Sequence, residues 1–356
     1  MLYYSIMKRK KHITLLLSGI LLLSGVSGCR TTPVREEKKA AVPQFQVSEH
    51  TVGRRAGALH KVLAPMKIRG VGVSLSAYRA YKERTAEIVR LVKQLGFNRI
   101  YCAISSEAEL SDELVSLVTA AADSGIPVEL TVRQGDFKHR FRGNAFIRSI
   151  LPQFRTLPDL AAEIVEFNAG LPENAKLAGV SVRFEPHLFT VANGADLIPG
   201  LHYIWSEHTF GLGMDNDNLV ITSIKLLEKM KKNLRGIPLR IELPDFYPVW
   251  AREKKLSRGR VQDFSGFDGV IIQSSGNRPR EAVRRLNAAA AGTRNNMAVI
   301  QLAGHTSVRD GALRRRDWND FVRSAGFIVN SMRKMNCSGV VLRPLSELGF
   351  MLLEQD

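Results

Sequence analysis

The chain has 356 residues, 45% hydrophobic and 24% charged, ordinary proportions for a globular protein large enough to bury a full core. Three cysteines with no C-x-x-C or H-x-H pattern argue against a structural zinc site, a radical cluster or a metal-dependent amidohydrolase, so no cofactor and no metal are expected. The formal charge is +17; four of those charges lie before Cys29 with no acid among them, so the rest of the chain keeps +13.

The chain opens with a targeting segment. Lys8-Arg9-Lys10-Lys11 is a positive n-region, and Ile13–Val26 is an apolar run too short for a comfortable membrane span. Val26-Ser27-Gly28-Cys29 resembles the bacterial lipobox. That resemblance implies a signal peptide over residues 1–28, a diacylglyceryl group on the Cys29 thiol, cleavage before it and acylation of the new amine. Several acyl chains anchor a protein stably where one does not. The expected location is the bacterial cell envelope, with the membrane as a partner through Cys29. Arg30 stands where an Asp would retain an enterobacterial lipoprotein in the inner membrane, which favours the outer membrane in a Gram-negative host. A basic protein so placed points to anionic neighbours such as acidic polysaccharide or lipid headgroups; nucleic acid is not an expected partner.

Residues 29–65 read as the lipidated cysteine and a flexible linker. Thr31-Thr32-Pro33, Glu36-Glu37-Lys38-Lys39 and Ala40-Ala41-Val42-Pro43 are poor in apolar residues and lack periodicity.

Residues 66–356 read as one domain. Eight apolar, β-branched runs predict strands: Ile68–Leu75, Arg99–Ile104, Pro127–Arg133, Gly179–Glu185, Pro238–Leu243, Gly269–Gln273, Ala298–Leu302 and Gly339–Arg343. Most precede a helical stretch, and strands alternating with helices imply parallel pairing. Gly125-Ile126-Pro127 and Gly236-Ile237-Pro238 each end a helix with Gly and start a strand with Pro, and Gly96 does the same before Arg99. Eight units over about 280 residues predict an α/β fold, a (β/α)8 barrel of the TIM type, whose active site lies at the carboxyl ends of its strands. An open doubly wound sheet satisfies the same alternation, but no G-x-G-x-x-G follows the first strand. Cys102 and Cys337 fall in the second and eighth strand units, whose strands flank the first in a barrel but do not touch, so they read as small buried residues and not as a disulfide.

Alternation along the strands sorts the polar residues. On strand four Val180, Val182 and Phe184 face the helices, leaving Ser181, Arg183 and Glu185 inward. Strand five turns Arg240 and Glu242 inward, and strand three Glu129, Thr131 and Arg133. Gln273, Gln301 and Arg343 end strands six, seven and eight. Such a ring is either a self-paired structural network or a polar pocket awaiting a ligand; Glu129 and Arg240, deeper, read as structural, and Glu185, at the rim before Pro186-His187, as functional. Long segments leave strands three, four and five and carry aromatics and histidines: His139 and Phe141, then Phe189, Tyr203, Trp205, His208 and Phe210, then Tyr247 and Trp250. Rings that stack on sugars beside carboxylates that move protons are what a carbohydrate cleft needs.

Gly179-Val180-Ser181-Val182-Arg183-Phe184-Glu185 resembles the fourth strand of family-18 chitinase-like hydrolases, with Ser181 and Arg183 in place of two aspartates. Phe184-Glu185-Pro186-His187 equally resembles the N-E-P-H strand of cellulase-like barrels, with Phe184 for the Asn and Gln301 on strand seven where that family has a Glu. The Ile68-Arg69-Gly70-Val71 strand and Tyr78–Leu95 helix resemble uncharacterised glycosidase-type barrels. The resemblance implies a glycoside hydrolase with Glu185 as proton donor. The expected site is Glu185 as acid/base, Glu242 or Asp245 as second carboxylate, and Arg183, Tyr247, Trp205, Gln273 and Arg343 as substrate contacts. The competing expectation is a degenerate barrel that binds an envelope glycan without cutting it. Phosphodiesterase chemistry would need more than Gly304-His305-Thr306-Ser307.

Overall fold

The computed structural model describes residues 49–75, 85–104, 110, 112–133, 156–184, 216–245, 247, 264–274, 279–290, 296–301, 318–343, 345, 348 and 352. Eight strands form: β1 (Ile68–Ser74), β2 (Arg99–Ile104), β3 (Val128–Arg133), β4 (Gly179–Arg183), β5 (Leu239–Pro244), β6 (Val270–Gln273), β7 (Asn296–Gln301) and β8 (Gly339–Arg343). Each pairs in parallel with the next, and β8 returns to β1 with Ile68 opposite Gly339, so the sheet is a closed eight-stranded barrel. The open doubly wound sheet is ruled out. In the wall, β7 begins at Asn296, two residues before the run expected from Ala298.

Seven α-helices surround the barrel among the described residues: α1 (Glu49–Leu63), α2 (Thr85–Gln94), α3 (Asp112–Asp123), α4 (Leu157–Gly170), α5 (Asn216–Asn233), α6 (Pro279–Ala290) and α7 (Trp318–Lys334). The outward phase of the strands, including Val71, Ile100, Leu130, Val182, Ile241 and Leu342, is buried with the inner faces of these helices in the main core. Phe184 sits here, edge-on to Tyr247 (centroids 5.3 Å apart) and Phe264 (5.2 Å). Helix ends follow from backbone chemistry. At Gly96 (φ 86°) and Gly125 (φ 72°) the chain takes the left-handed turn that spares carbonyls at a helix end. The next amides then reach back: Phe97 N–H donates to the Val92 carbonyl at 3.1 Å, Ile126 N–H to Ala121 at 2.8 Å. Asn336 (φ 56°) closes α7 the same way. At α4, Thr156 Oγ1 accepts from Asp159 N–H at 3.3 Å while Asp159 Oδ2 accepts from Thr156 N–H at 3.0 Å, a reciprocal cap.

The linker boundary is corrected. Residues 49–63, expected within the flexible linker, form α1, whose Val52, Ala56, Leu59 and Leu63 lie in the main core. These positions recur at helical spacing, an apolar stripe that the polar residues around it disguise. The buried Arg55 ties it down: its Nη1 donates to the Leu352 carbonyl at 2.8 Å, and its own carbonyl accepts from Trp318 Nε1 at 3.2 Å. The folded domain therefore starts at or before residue 49.

Cys102 and Cys337 are free thiols. Burial pushes Cys102 up to about 12 and Cys337 up to about 11, so neither is a ready nucleophile near neutral pH.

Candidate functional site

Register fixes which residues share the barrel interior. Parallel partners point to the same side, so Tyr101 and Glu129 on β2 and β3, and Arg133, Arg183 and Glu242 across β3, β4 and β5, form inward rows. The inward phase expected for Ser181, Arg183, Arg240, Glu242, Glu129 and Thr131 is the one observed.

The interior is built in tiers. Near the amino ends of the strands, Glu129 Oε2 accepts from Arg240 at 2.6 Å and Arg99 at 3.2 Å, with the carboxylate wholly buried. Burial pushes the Glu129 carboxyl above the usual range, opposed by the guanidinium groups of Arg240 and Arg99. Arg99 was absent from the residues expected here, yet β2 alternation, with Ile100 and Cys102 facing the helices, turns it inward. Above this tier Tyr101, Ile271 and Val341 form a separate small apolar core, with Ile68 packed against it. Burial pushes the Tyr101 hydroxyl upward.

The third tier is a cross-brace. Arg343 leaves β8 and spans the lumen: Nη1 donates to Glu242 Oε2 on β5 at 2.7 Å and Nη2 to Thr131 Oγ1 on β3 at 3.4 Å. Its guanidinium lies 5.7 Å from the centroid of the Tyr101 ring. Thr131 and Ser181 share a hydroxyl hydrogen bond of 3.0 Å, and Ser181 also donates to the Leu130 carbonyl at 3.3 Å. Glycine makes the crossing possible. A Cβ on Gly72 would overlap Cγ of Arg343, and one on Gly70 would overlap the ring of Tyr101. Large inward side chains thus fit because β1 offers bare backbone beside them.

The expected site residues therefore fall into separate groups. Glu242 is in the lumen but 1% exposed and braced by Arg343, so Arg343 holds a carboxylate in this structure. Arg183 and Gln273 are half-buried at the carboxyl ends of β4 and β6. Asp245 is 1% exposed just past β5, its N–H donating to the Gln273 carbonyl at 2.9 Å. Tyr247 is corrected: its ring is wholly buried against Phe184 on the helix side and leaves no face for a sugar. Aromatic character alone does not separate a stacking ring from a core ring. Glu185, Trp205 and Cys29 lie outside the described residues, as do the long segments after β3, β4 and β5. Among the described residues no group of His, Cys, Asp and Glu is arranged to hold a metal ion, and no helix is long and apolar enough to cross a membrane.

This is a (β/α)8 barrel with a charged, cross-braced interior. The sequence matches no protein-family model and no curated protein. Among solved structures it is similar to the GH53 catalytic domain of Ignisphaera aggregans (11% identity, 78% of this chain and 84% of that one, TM-score 0.43). It is also similar to a psychrophilic family 10 endo-β-1,4-xylanase (12%, 80% and 88%, TM-score 0.48). An HpcH/HpaI aldolase from Desulfitobacterium hafniense is similar as well (13%, 81% and 90%, TM-score 0.36). Likenesses this distant span unlike chemistries, so the functional reading rests on this chain's own residues.

Proposed function

We propose that this chain is a lipid-anchored glycoside hydrolase of the bacterial envelope, acting on a glycan at the carboxyl-terminal mouth of its barrel. The observation that carries the reading is an asymmetry of connections. Returns into strands take four to eight residues, as from Gln94 to Arg99 or Gly170 to Gly179. Two departures from carboxyl ends are far longer: β3 ends at Arg133 and α4 starts at Leu157; β4 ends at Arg183 and α5 starts at Asn216. Extra chain on one face is how a barrel builds a binding site. That chain carries Phe141, Tyr203, Trp205 and Phe210, and Glu185 is its second residue after β4.

In this reading Glu185 is the acid/base that protonates the leaving oxygen. Glu242, one strand over and held by Arg343, is the second carboxylate, with Asp245 as the other candidate. A specific observation favours the second reading, glycan binding without cleavage: Glu242 and Asp245 are each 1% exposed, so neither offers an open carboxylate to substrate. Glu185→Gln separates the two. Hydrolysis should fall by at least ~10³-fold while oligosaccharide affinity stays within a few-fold. Binding by both forms with turnover by neither would establish the second reading. The soluble form should begin at residue 30, which keeps α1 whole.

A further inference from the structure

We propose that the amino-terminal pole of the barrel docks on an anionic lipid surface through the ends of α7, α1 and α2, turning the carboxyl-terminal mouth away from the bilayer. This docking neither needs nor tests the hydrolase reading. These three helices return the chain to the starts of β8, β1 and β2, so their last turns lie at that pole. The turns and the connections after them carry Lys61, Lys67, Lys93, Arg333 and Lys334, with Arg90 one turn back on α2. All six are exposed, and residues 60–69, 90–99 and 331–339 contain no acid. The helix dipole favours cations in last turns, but Lys67 lies in a connection and Arg90 a turn back.

The three ends form one platform. Gly96 after α2 lies so close to His60 on α1 that an added Cβ would overlap it, and Gly326 on α7 faces Val62 of α1. Asn98 ties two of the connections together: its Nδ2 donates to the Lys67 carbonyl at 3.0 Å, and its Oδ1 accepts from Arg69 N–H at 2.7 Å. Ile68 N–H donates to the Ser338 carbonyl at 3.1 Å and secures the third. Lys93 Nζ reaches the Ser124 carbonyl at 3.5 Å, a contact that leaves its charge in place. A second feature is Phe327, 43% exposed on α7 and two turns before Lys334 on the same face. An exposed ring beside a row of cations suits the boundary between headgroups and acyl chains, whereas a soluble phosphate gives the ring nothing to bury against. Each Lys or Arg near an anionic bilayer is worth about fivefold in affinity, so six weak contacts add up. Residues 30–48 reach at most about 60 Å, against about 22 Å for the length of α1, so an anchor at Cys29 reaches a bilayer beneath this pole.

The test uses the chain from residue 30, which keeps every described element and lacks the leader and Cys29, so no acyl chain contributes to binding. It is sedimented with vesicles of phosphatidylcholine alone and with vesicles in which roughly one-third of the lipid is phosphatidylglycerol. The expected result is an affinity for the anionic vesicles at least ~10-fold above that for the neutral ones at low salt, the ratio shrinking as salt is raised. Lys61→Gln/Lys67→Gln/Arg333→Gln/Lys334→Gln, checked for an unchanged circular dichroism spectrum and melting temperature, should lose at least ~10-fold on the anionic vesicles. Phe327→Ser should lose at least ~3-fold. Lys225→Gln/Lys229→Gln/Lys232→Gln/Arg235→Gln removes the same charge from exposed positions on and just after α5, across the barrel, and should lose less than ~3-fold. Equal binding of the wild type to both kinds of vesicle overturns the proposal. Equal losses in the two quadruple variants also overturn it, because the attraction would then belong to net charge and not to this face. Binding to polygalacturonate or duplex DNA with none to vesicles overturns it in favour of another polyanion.

Discussion

At the scale of single residues, the interior depends on an unequal exchange of volume, with glycine on one strand admitting an arginine or tyrosine from the next. Gly72 is the sharpest case, because a methyl group there collides with the Arg343 stem and not with its movable tip. Gly72→Ala should destabilise the fold by about 2–4 kcal/mol, through displacement of Arg343 and the buried Glu242 left behind. Urea unfolding of the variant beside the wild type measures this, and Arg343→Ala in the same background should make the two losses less than additive. Glu129 makes a second prediction. Its folded carboxyl lies above the ordinary value of 4.5, so the folded chain keeps a proton that the unfolded chain releases. Stability from this group is therefore lost as pH rises from the unfolded value through the raised folded one. Denaturation midpoints from about pH 4 to pH 8 should show that decline in the wild type and lack it in Glu129→Gln, which has no carboxyl proton to release.

At the scale of elements, α1 is the part whose position most changes the picture of the chain. It packs on α7, and Arg55 ties it to Leu352 and to Trp318 at the start of α7. Leu59 is wholly buried, so Leu59→Ala should cost about 2–4 kcal/mol, read from thermal or urea unfolding of the chain from residue 30. A loss below about 0.5 kcal/mol would mean that α1 is not part of the cooperative unit. Most of the strands are legible in the sequence because they are short and β-branched with a Gly or Pro at or near their start, and β2, β3, β4, β5, β6 and β8 bury an unbroken apolar phase against helices. α1 is not, because its four apolar contacts sit among Glu49, His50, Arg54, Arg55, His60 and Lys61, and only a partner surface reveals the stripe. The inward polar phase is equally legible from alternation, down to Glu129, Arg240 and Glu242. What alternation cannot give is which partner each charge chooses across the lumen: Arg343 reaching β5 and β3 from β8 is a matter of barrel curvature, and Tyr247 turning into the core is a matter of packing.

At the scale of the whole molecule, the proposal joins a basic barrel to a lipid anchor through the stretch before α1. With the domain starting at or before residue 49, residues 30–48 fully extended at about 3.3 Å each reach at most about 60 Å, roughly half what a linker to residue 65 would allow. Cys29→Ser should move the protein from the membrane fraction to the soluble one and abolish incorporation of labelled palmitate. A variant that stays in the membrane fraction and still takes up the label would contradict anchoring at Cys29. Catalysis is tested most directly by following glycan hydrolysis with proton NMR, using the chain from residue 30 and its Glu185→Gln variant on a panel including chitin oligomers, peptidoglycan fragments and acidic polysaccharides. The predicted result is a new reducing end appearing first as a single anomer with the wild type and no release with the variant. A retained anomer would fit carboxylates about 5 Å apart and an inverted one about 6.5–9.5 Å apart. Saturable binding of one of these glycans with no reducing end formed by either protein would contradict hydrolysis and leave a barrel that holds its glycan intact.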